Sequence, residues 1–288
     1  MHACYHHLTP FHHRPFNLSS SMAHNQLQGP LPSLVSTDLR TLELQGNTFS
    51  GSLPNFYLWK TPYLSIFDVR DNQLSGSLPD SISRLTLLKK LGLGGNNLSD
   101  VVPASLGRLT DLTYLSMAHN QLQGPLPSAL LSTDLRTLEL QGNAFSGSLP
   151  NFYLWKPVHL EILDVSDNQL SGSLPDSISS LVLLTRLGIG GNNLSGIIPA
   201  GLGQLGGLTY LNVSGTGLIC PADSSECVVY QINTTAFCRL CFSFCSSCTP
   251  LAMSQTRSAS GPRTLIAAAI NHSIAAAVAS VLLLVFRL

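Results

Sequence analysis

The sequence predicts a right-handed repeat solenoid of the α/β type, in which short parallel strands stack into a sheet along a concave face. Three observations carry this expectation. Thr41 to Lys60 reads TLELQGNTFSGSLPNFYLWK and recurs at Thr137 to Lys156 with Ala144 in place of Thr48, an offset of 96 residues. A finer period runs through both blocks, because Asn25, Asn47, Asn72, Asn96, Asn120, Asn143, Asn168 and Asn192 recur about every 24 residues, with Thr216 in the ninth slot. Four such units make one block, and a unit of that length is the signature of a stacked repeat architecture. Ahead of each asparagine, apolar residues alternate with polar ones, as in Leu42 and Leu44, which is the period of a strand with one buried face.

Each part of the unit has a physical reason. The strand leucines point to one side, and a single unit is too short to cover them. Stacked at the usual strand spacing, units bury one another's leucines in a continuous column. Each buried leucine contributes about 1.5 to 3 kcal/mol against the entropy of ordering the chain. After the strand the chain turns, leaving backbone N–H and C=O groups on the core side. An asparagine amide donates and accepts at once, so Asn47, Asn72, Asn96 and their equivalents are expected to satisfy those groups as a ladder. Glycines such as Gly51 and Gly76 and prolines such as Pro54 and Pro79 then shape the return along the convex side. The Asn55 to Lys60 segment and its copy at Asn151 to Lys156 hold both tryptophans, Trp59 and Trp155. These are expected to pack over a longer convex turn.

The repeating Leu-x-x-Leu-x-Leu-x-x-Asn followed by x-Leu-Ser-Gly-x-Leu/Ile-Pro resembles the leucine-rich-repeat family. Its second half is similar to the plant-type subclass of receptor-like proteins, receptor-kinase ectodomains and polygalacturonase-inhibiting proteins. The resemblance implies a non-enzymatic recognition module that takes a protein or peptide ligand on its concave face, with a transmembrane co-receptor kinase as a possible second partner. The runner-up is a secreted inhibitor of a cell-wall hydrolase, which the same resemblance implies, and a third reading is a surface scaffold without a dedicated ligand.

Strand positions pointing away from the leucines are expected to form the binding strip. Its candidates are Glu43, Gln45, Asp68, Arg70, Lys90, Tyr114, Ser116, Glu139, Gln141, Asp164, Arg186, Tyr210 and Asn212. Tyr114 and Tyr210 are candidate aromatic anchors. Small residues at Gly92, Gly94, Gly188 and Gly190 are expected to leave low stretches where a ligand approaches the backbone.

Outside the repeats the expected organisation is a leader over 1–16, repeats over 17–218, a cysteine-rich cap over 219–250, a linker over 251–264 and a hydrophobic tail over 265–288. Cys220 and Cys227 resemble the disulfide loop that caps plant-type ectodomains. Together with Cys238, Cys241, Cys245 and Cys248 they suit disulfides in an oxidising compartment. A zinc site remains the other reading, although its two cysteine pairs are usually further apart. Asn17, Asn97, Asn193, Asn212 and Asn233 open glycosylation sequons. The tail follows the small residues around Ser258 in the pattern of a glycolipid anchor. A spanning helix and an untargeted hydrophobic end are its alternatives. Neither a secretory apolar run nor a cysteine-bearing cap opens the chain, and Ser20 stands where a core leucine belongs. These features predict that the natural protein carries further sequence ahead of Met1.

Composition narrows the function classes. Charged residues are 10% of the chain and the formal net charge is +0, too little cationic surface to neutralise nucleic-acid phosphates. No nucleic-acid partner is expected. Gly92, Gly94 and Gly95 recur at Gly188, Gly190 and Gly191 as part of the repeat, so they do not signal a phosphate loop. No catalytic set emerges, and neither cofactor nor metal is expected; Cys4 and the histidines of the leader are read as non-native sequence.

Overall fold

The computed structural model describes residues 18–219, apart from 33, 35–37, 129, 131–133 and 155–158. Contacts divide the chain into units 1–248 and 249–288, and all described residues lie in the first. The leader, the six clustered cysteines, the linker, the tail, Asn17, Asn233, Ser258 and Trp155 lie outside the described residues.

The chain is built from paired short strands. In order they are β1 (Leu18–Ser21), β2 (Gln28–Gly29), β3 (Leu39–Glu43), β4 (Thr48–Ser52), β5 (Ile66–Asp68), β6 (Gln73–Ser77), β7 (Lys90–Gly92), β8 (Asn97–Val101) and β9 (Tyr114–Ser116). There follow β10 (Gln121–Pro125), β11 (Thr137–Glu139), β12 (Ala144–Ser148), β13 (Ile162–Asp164), β14 (Gln169–Gly172), β15 (Arg186–Gly188), β16 (Asn193–Ile197), β17 (Tyr210–Asn212) and β18 (Gly217–Ile219). Odd-numbered strands form one parallel sheet in sequence order, and even-numbered strands form a second. The first is the expected concave sheet. The second arises from the Asn-Leu-Ser-Gly segments, which the sequence reading assigned only to a shaped return. Between them run 3-10 turns such as Asp80–Arg84, Ala104–Arg108 and Asp176–Ser180, and no α-helix occurs among the described residues. Pro79, Pro103, Pro175 and Pro199 hold extended backbone at the start of these turns, where the missing N–H costs nothing.

Between the sheets lies one continuous apolar column. Phe67, Leu91, Leu115, Leu138, Leu163 and Leu187 of the concave sheet face Leu74, Leu98, Leu122, Phe145, Leu170 and Leu194 of the second, all at 1% exposure or less. Trp59 packs edge-on against Phe56 and Phe67 at 4.9 and 5.5 Å, as the convex-turn expectation held, while Tyr57 and Leu58 beside it face solvent.

The asparagine ladder is the polar counterpart of that column. Asn96 donates through Nδ2 to Leu93 O and Gly94 O of its own unit and to Val69 O of the preceding one, at 3.0, 3.1 and 3.0 Å. Its Oδ1 accepts the Leu74 N–H at 3.0 Å. Asn120 repeats the set on Leu93, Met117, Ala118 and Leu98, and Asn168 and Asn192 do so in the second block. Each amide therefore ties two units together. Among the described residues Asn25 lacks this role, bonding Met22 O and Ala23 O in an exposed setting.

One position departs from the pattern. Gly76, Gly124 and Gly172 in the second sheet have φ of 78°, 83° and 82°, and Asp100 fills the equivalent slot at 69°. A side chain there costs about 1 kcal/mol relative to glycine. Asp100→Gly is expected to raise the stability read from urea melts by up to about 1 kcal/mol, with part of the gain lost to the freer unfolded chain. Asn120→Ala is expected to cost about 1 to 3 kcal/mol, whereas Asn25→Ala stays within about 0.5 kcal/mol. Equal costs for the two asparagines in urea melts would contradict the ladder's role.

Candidate concave recognition face

The parallel register places equivalent residues side by side across the concave sheet. Ile66 pairs with Lys90 and Lys90 with Tyr114, Asp68 with Gly92, and Gly92 with Ser116. The strand β11 continues the row, setting Thr137 against Tyr114 and Glu139 against Ser116. Residues far apart in sequence become neighbours by this stacking alone.

Across β5, β7, β9 and β11 five predicted residues form one network, four from the first block and Glu139 from the start of the second. Asp68 is fully buried and receives Arg70 on both carboxylate oxygens, Nε to Oδ1 at 2.9 Å and Nη2 to Oδ2 at 2.8 Å. Lys90 Nζ meets Oδ2 at 2.9 Å. Arg70 Nη1 also donates to the Tyr114 hydroxyl at 3.2 Å, and that hydroxyl donates to Glu139 Oε2 at 2.9 Å. Both cations lie over the Tyr114 ring, Arg70 at 5.8 Å and Lys90 at 5.5 Å. Burial pushes the Asp68 carboxyl pKa up, but the hydrogen bonds and charges of Arg70 and Lys90 outweigh it and hold the group below its ordinary value. Burial and the hydrogen bond to Glu139 push the Tyr114 phenol up to about 12, so it stays a donor at neutral pH.

The second block is assembled differently. Asp164 accepts the Ser166 hydroxyl at 2.6 Å and the Ser166 N–H at 3.1 Å. Arg186 Nη2 stands 3.8 Å from Asp164 Oδ2, too far for a hydrogen bond. Its guanidinium instead lies 3.8 Å above the Tyr210 ring. Asn212 Oδ1 accepts from Ser214 N and Oγ at 3.1 and 2.7 Å. Strand alternation already puts Ser166 on this face, and the 96-residue offset aligns it with Arg70.

Two expectations need correction. Gly92 and Gly188 leave no low stretch open to a ligand. An added Cβ on Gly92 would meet Asp68 Oδ1 at 2.6 Å and Arg70 Nε at 3.1 Å, and on Gly188 it would run into Asp164 and Ser166. Ser116 and Asn212 occupy the corresponding room over Gly94 and Gly190. Neighbouring side chains thus fill the space that glycine creates, because adjacent parallel strands lie within side-chain reach. Nor are the central face positions solvated: Asp68, Ser116 and Asp164 are buried, while Arg186 is exposed.

The remaining candidates stand apart. Glu43 is half-buried on β3. Gln45 and Gln141 each hold a buried Oε1 without a hydrogen-bond partner among the described residues. Asn97 and Asn193 are exposed at the starts of β8 and β16 on the second sheet, whereas Asn212 sits half-buried on the concave sheet. A shallow hollow lined by Tyr57, Asp80, Ser83, Ser105 and Arg108 opens on the convex side. Among the described residues, no group of three metal-ligating side chains converges and no helix is long and apolar enough to cross a membrane.

Known proteins place this architecture in context. The family described as leucine rich repeat matches residues 62–122 and 158–218. Receptor-like protein 53 of Arabidopsis thaliana is 34% identical over 162 residues, which is 53% of this chain and 16% of that protein. This chain therefore spans about one sixth of the length of the curated relatives it matches first. The Arabidopsis receptor kinase HAESA, solved in complex with the peptide hormone IDA and the co-receptor SERK1, superposes with a TM-score of 0.68 at 29% identity, over 76% of this chain and 37% of that one. A plant ice-binding protein superposes with a TM-score of 0.60 at 30% identity, over 68% of this chain and 64% of that one.

The depressed Asp68 pKa gives a signed prediction. The folded state resists protonating this group, so its contribution to stability is complete above the unfolded carboxylate value of about 3.9 and is lost as pH falls through the lower folded value. The stability gap between the wild type and Asp68→Asn, read from urea midpoints between pH 7 and pH 2, should narrow below about pH 4. A gap of constant size across that range would contradict the assignment.

Proposed function

The chain carries a plant-type leucine-rich-repeat domain resembling the ectodomains of receptor-like proteins and receptor kinases, which are non-enzymatic recognition modules; from that premise we propose that its concave sheet binds a protein or peptide ligand at the outer cell surface. The observation that carries this reading is the row of polar and aromatic side chains held in fixed positions across β5, β7, β9 and β11. Side chains ordered before a ligand arrives lose little entropy on binding. An extended strip of this kind suits an extended chain better than a compact small molecule, which favours a concave pocket.

The rest of the proposal extends beyond the described residues. The ligand is presented to a transmembrane co-receptor kinase, as the HAESA complex supports by analogy. The repeats over 17–218 are closed by a disulfide cap drawn from Cys220, Cys227, Cys238, Cys241, Cys245 and Cys248. Glycans sit at Asn97 and Asn193, whose exposure suits them. The tail over 265–288 is exchanged for a glycolipid anchor at Ser258. Because one fold serves receptors and an ice-binding protein alike, function has to be argued from the face and not from the fold.

Surface proximity labelling on plant cells tests the reading. Glu43→Lys with Tyr114→Ala is expected to remove a labelled partner that the wild type and the flank variant Asp111→Lys retain, and a phospholipase specific for phosphatidylinositol is expected to release the protein. An identical partner set for all three proteins would make the concave face a scaffold surface. Saturable inhibition of a polygalacturonase panel would instead favour the hydrolase-inhibitor alternative.

A further inference from the structure

On the convex side the stacking brings together side chains of three successive 3-10 turns. Phe56–Leu58 packs beside Asp80–Arg84, which packs beside Ala104–Arg108. From them Tyr57, Asp80, Ser83, Ser105 and Arg108 line an open hollow of about 330 Å³, within the range that holds small ligands.

The groups around this hollow are set for a ligand that is part apolar and part polar. Tyr57 is 63% exposed, so its ring is not spent on the core. Arg84 braces that ring at 5.6 Å from its centroid without itself lining the hollow. Ser105 donates through Oγ to Asp80 Oδ1 at 2.9 Å, and Ser83 donates to Asp80 O at 2.9 Å, which ties the turns in place. Asp80 Oδ2 and the Arg108 guanidinium have no partner among the described residues.

The second block keeps only part of this set. Tyr153, Asp176 and Ser179 align with Tyr57, Asp80 and Ser83, but Gly201 and Gln204 stand in the places of Ser105 and Arg108. A Cβ added to Gly201 would lie 2.8 Å from Ser179 Cβ, so the turns there approach too closely for a serine between them.

A sugar ring matches the lining of the first block. The C–H bonds on one face of a pyranose are slightly positive and are drawn to the negative face of an aromatic ring. Its hydroxyls both donate and accept, so one donates to Asp80 Oδ2 while another accepts from Arg108. The Asp80 carboxylate repels an acidic sugar, which selects a neutral one. The hollow is open, so a chain of rings can continue beyond it.

We propose that this hollow is a carbohydrate subsite that takes one neutral pyranose ring of a polysaccharide, stacked on Tyr57 and hydrogen-bonded by Asp80 and Arg108. It belongs to the convex side and does not depend on what the concave sheet binds. A polysaccharide held there fastens the solenoid to a carbohydrate matrix and leaves the concave face open.

Saturation-transfer NMR on the full chain, purified from plant cells, tests this with cellohexaose, laminarihexaose, mannohexaose and xylohexaose. A galacturonate hexamer is the acidic control, and the matching methyl glycosides are the single rings. At least one neutral hexamer is expected to bind, more tightly than its single ring. Tyr57→Ala should weaken that binding about tenfold, and Tyr57→Phe by less than about twofold because the ring face is kept. Arg108→Gln, which installs the residue of the second block, should weaken it about fivefold, whereas Tyr153→Ala leaves it unchanged; melting curves check that each variant is folded. Preference for the galacturonate hexamer, strengthened by Asp80→Asn, would overturn the neutral class. Equal affinity for a hexamer and its single ring would overturn the polysaccharide source. Sugar binding that survives both Tyr57→Ala and Arg108→Gln, or no binding of any sugar, would overturn the subsite, as would a protein partner that is lost with Tyr57→Ala and not displaced by any of the hexamers.

Discussion

The side-chain amide of one asparagine per unit is the contact on which the stack depends. Leucines supply most of the burial free energy, but they pack equally well in many offsets. A non-directional force does not choose a register. The amide does, because Asn96 or Asn120 must reach carbonyls in two successive units and accept an N–H from the earlier one. Slippage by one residue would leave those buried groups without partners, at a cost comparable to a lost hydrogen bond for each.

A fixed register has consequences on the opposite surface. Because Asp68, Gly92 and Ser116 are aligned across β5, β7 and β9, a carboxylate on one strand reaches cations on the same and the next one. Glycine in the aligned position is what allows Asp68 to lie flat and become fully buried. The concave face is therefore partly its own ligand. Asp68, Arg70 and Lys90 hold one another, and where Ser166 stands in the place of Arg70 the remaining cation, Arg186, keeps a longer ion pair of 3.8 Å with Asp164. Between the two blocks the face differs at four aligned positions, Arg70 and Ser166, Lys90 and Arg186, Ser116 and Asn212, and Ala118 and Ser214.

Much of the fold could be read from the chain. The asparagine spacing and the leucine alternation identify the units, the concave sheet and its core positions, and Trp59 packs where the longer convex turn implied. The second sheet was not legible: the Asn-Leu-Ser-Gly-x-Leu/Ile-Pro segment shows little strand periodicity in isolation, and its glycines read as turn signals. It becomes a strand because its neighbours in the stack present matching backbone groups, a tertiary cause that local propensity does not contain.

By itself, the sequence determined the repeat, its length, the division of each unit into a buried and a polar side, and the residues available on the face. Those follow from periodicity, which is a local property of the chain. Only the tertiary structure decided which face residues are already committed to one another. Arg70 and Arg186 occur in the same kind of strand environment, yet the first is bound in a buried ion pair and the second rests on an aromatic ring. The difference is made by partners two residues to forty-four residues away in sequence, at 2.8 to 3.8 Å, the distant ones brought there by stacking, and the strength of such contacts depends on distance and burial.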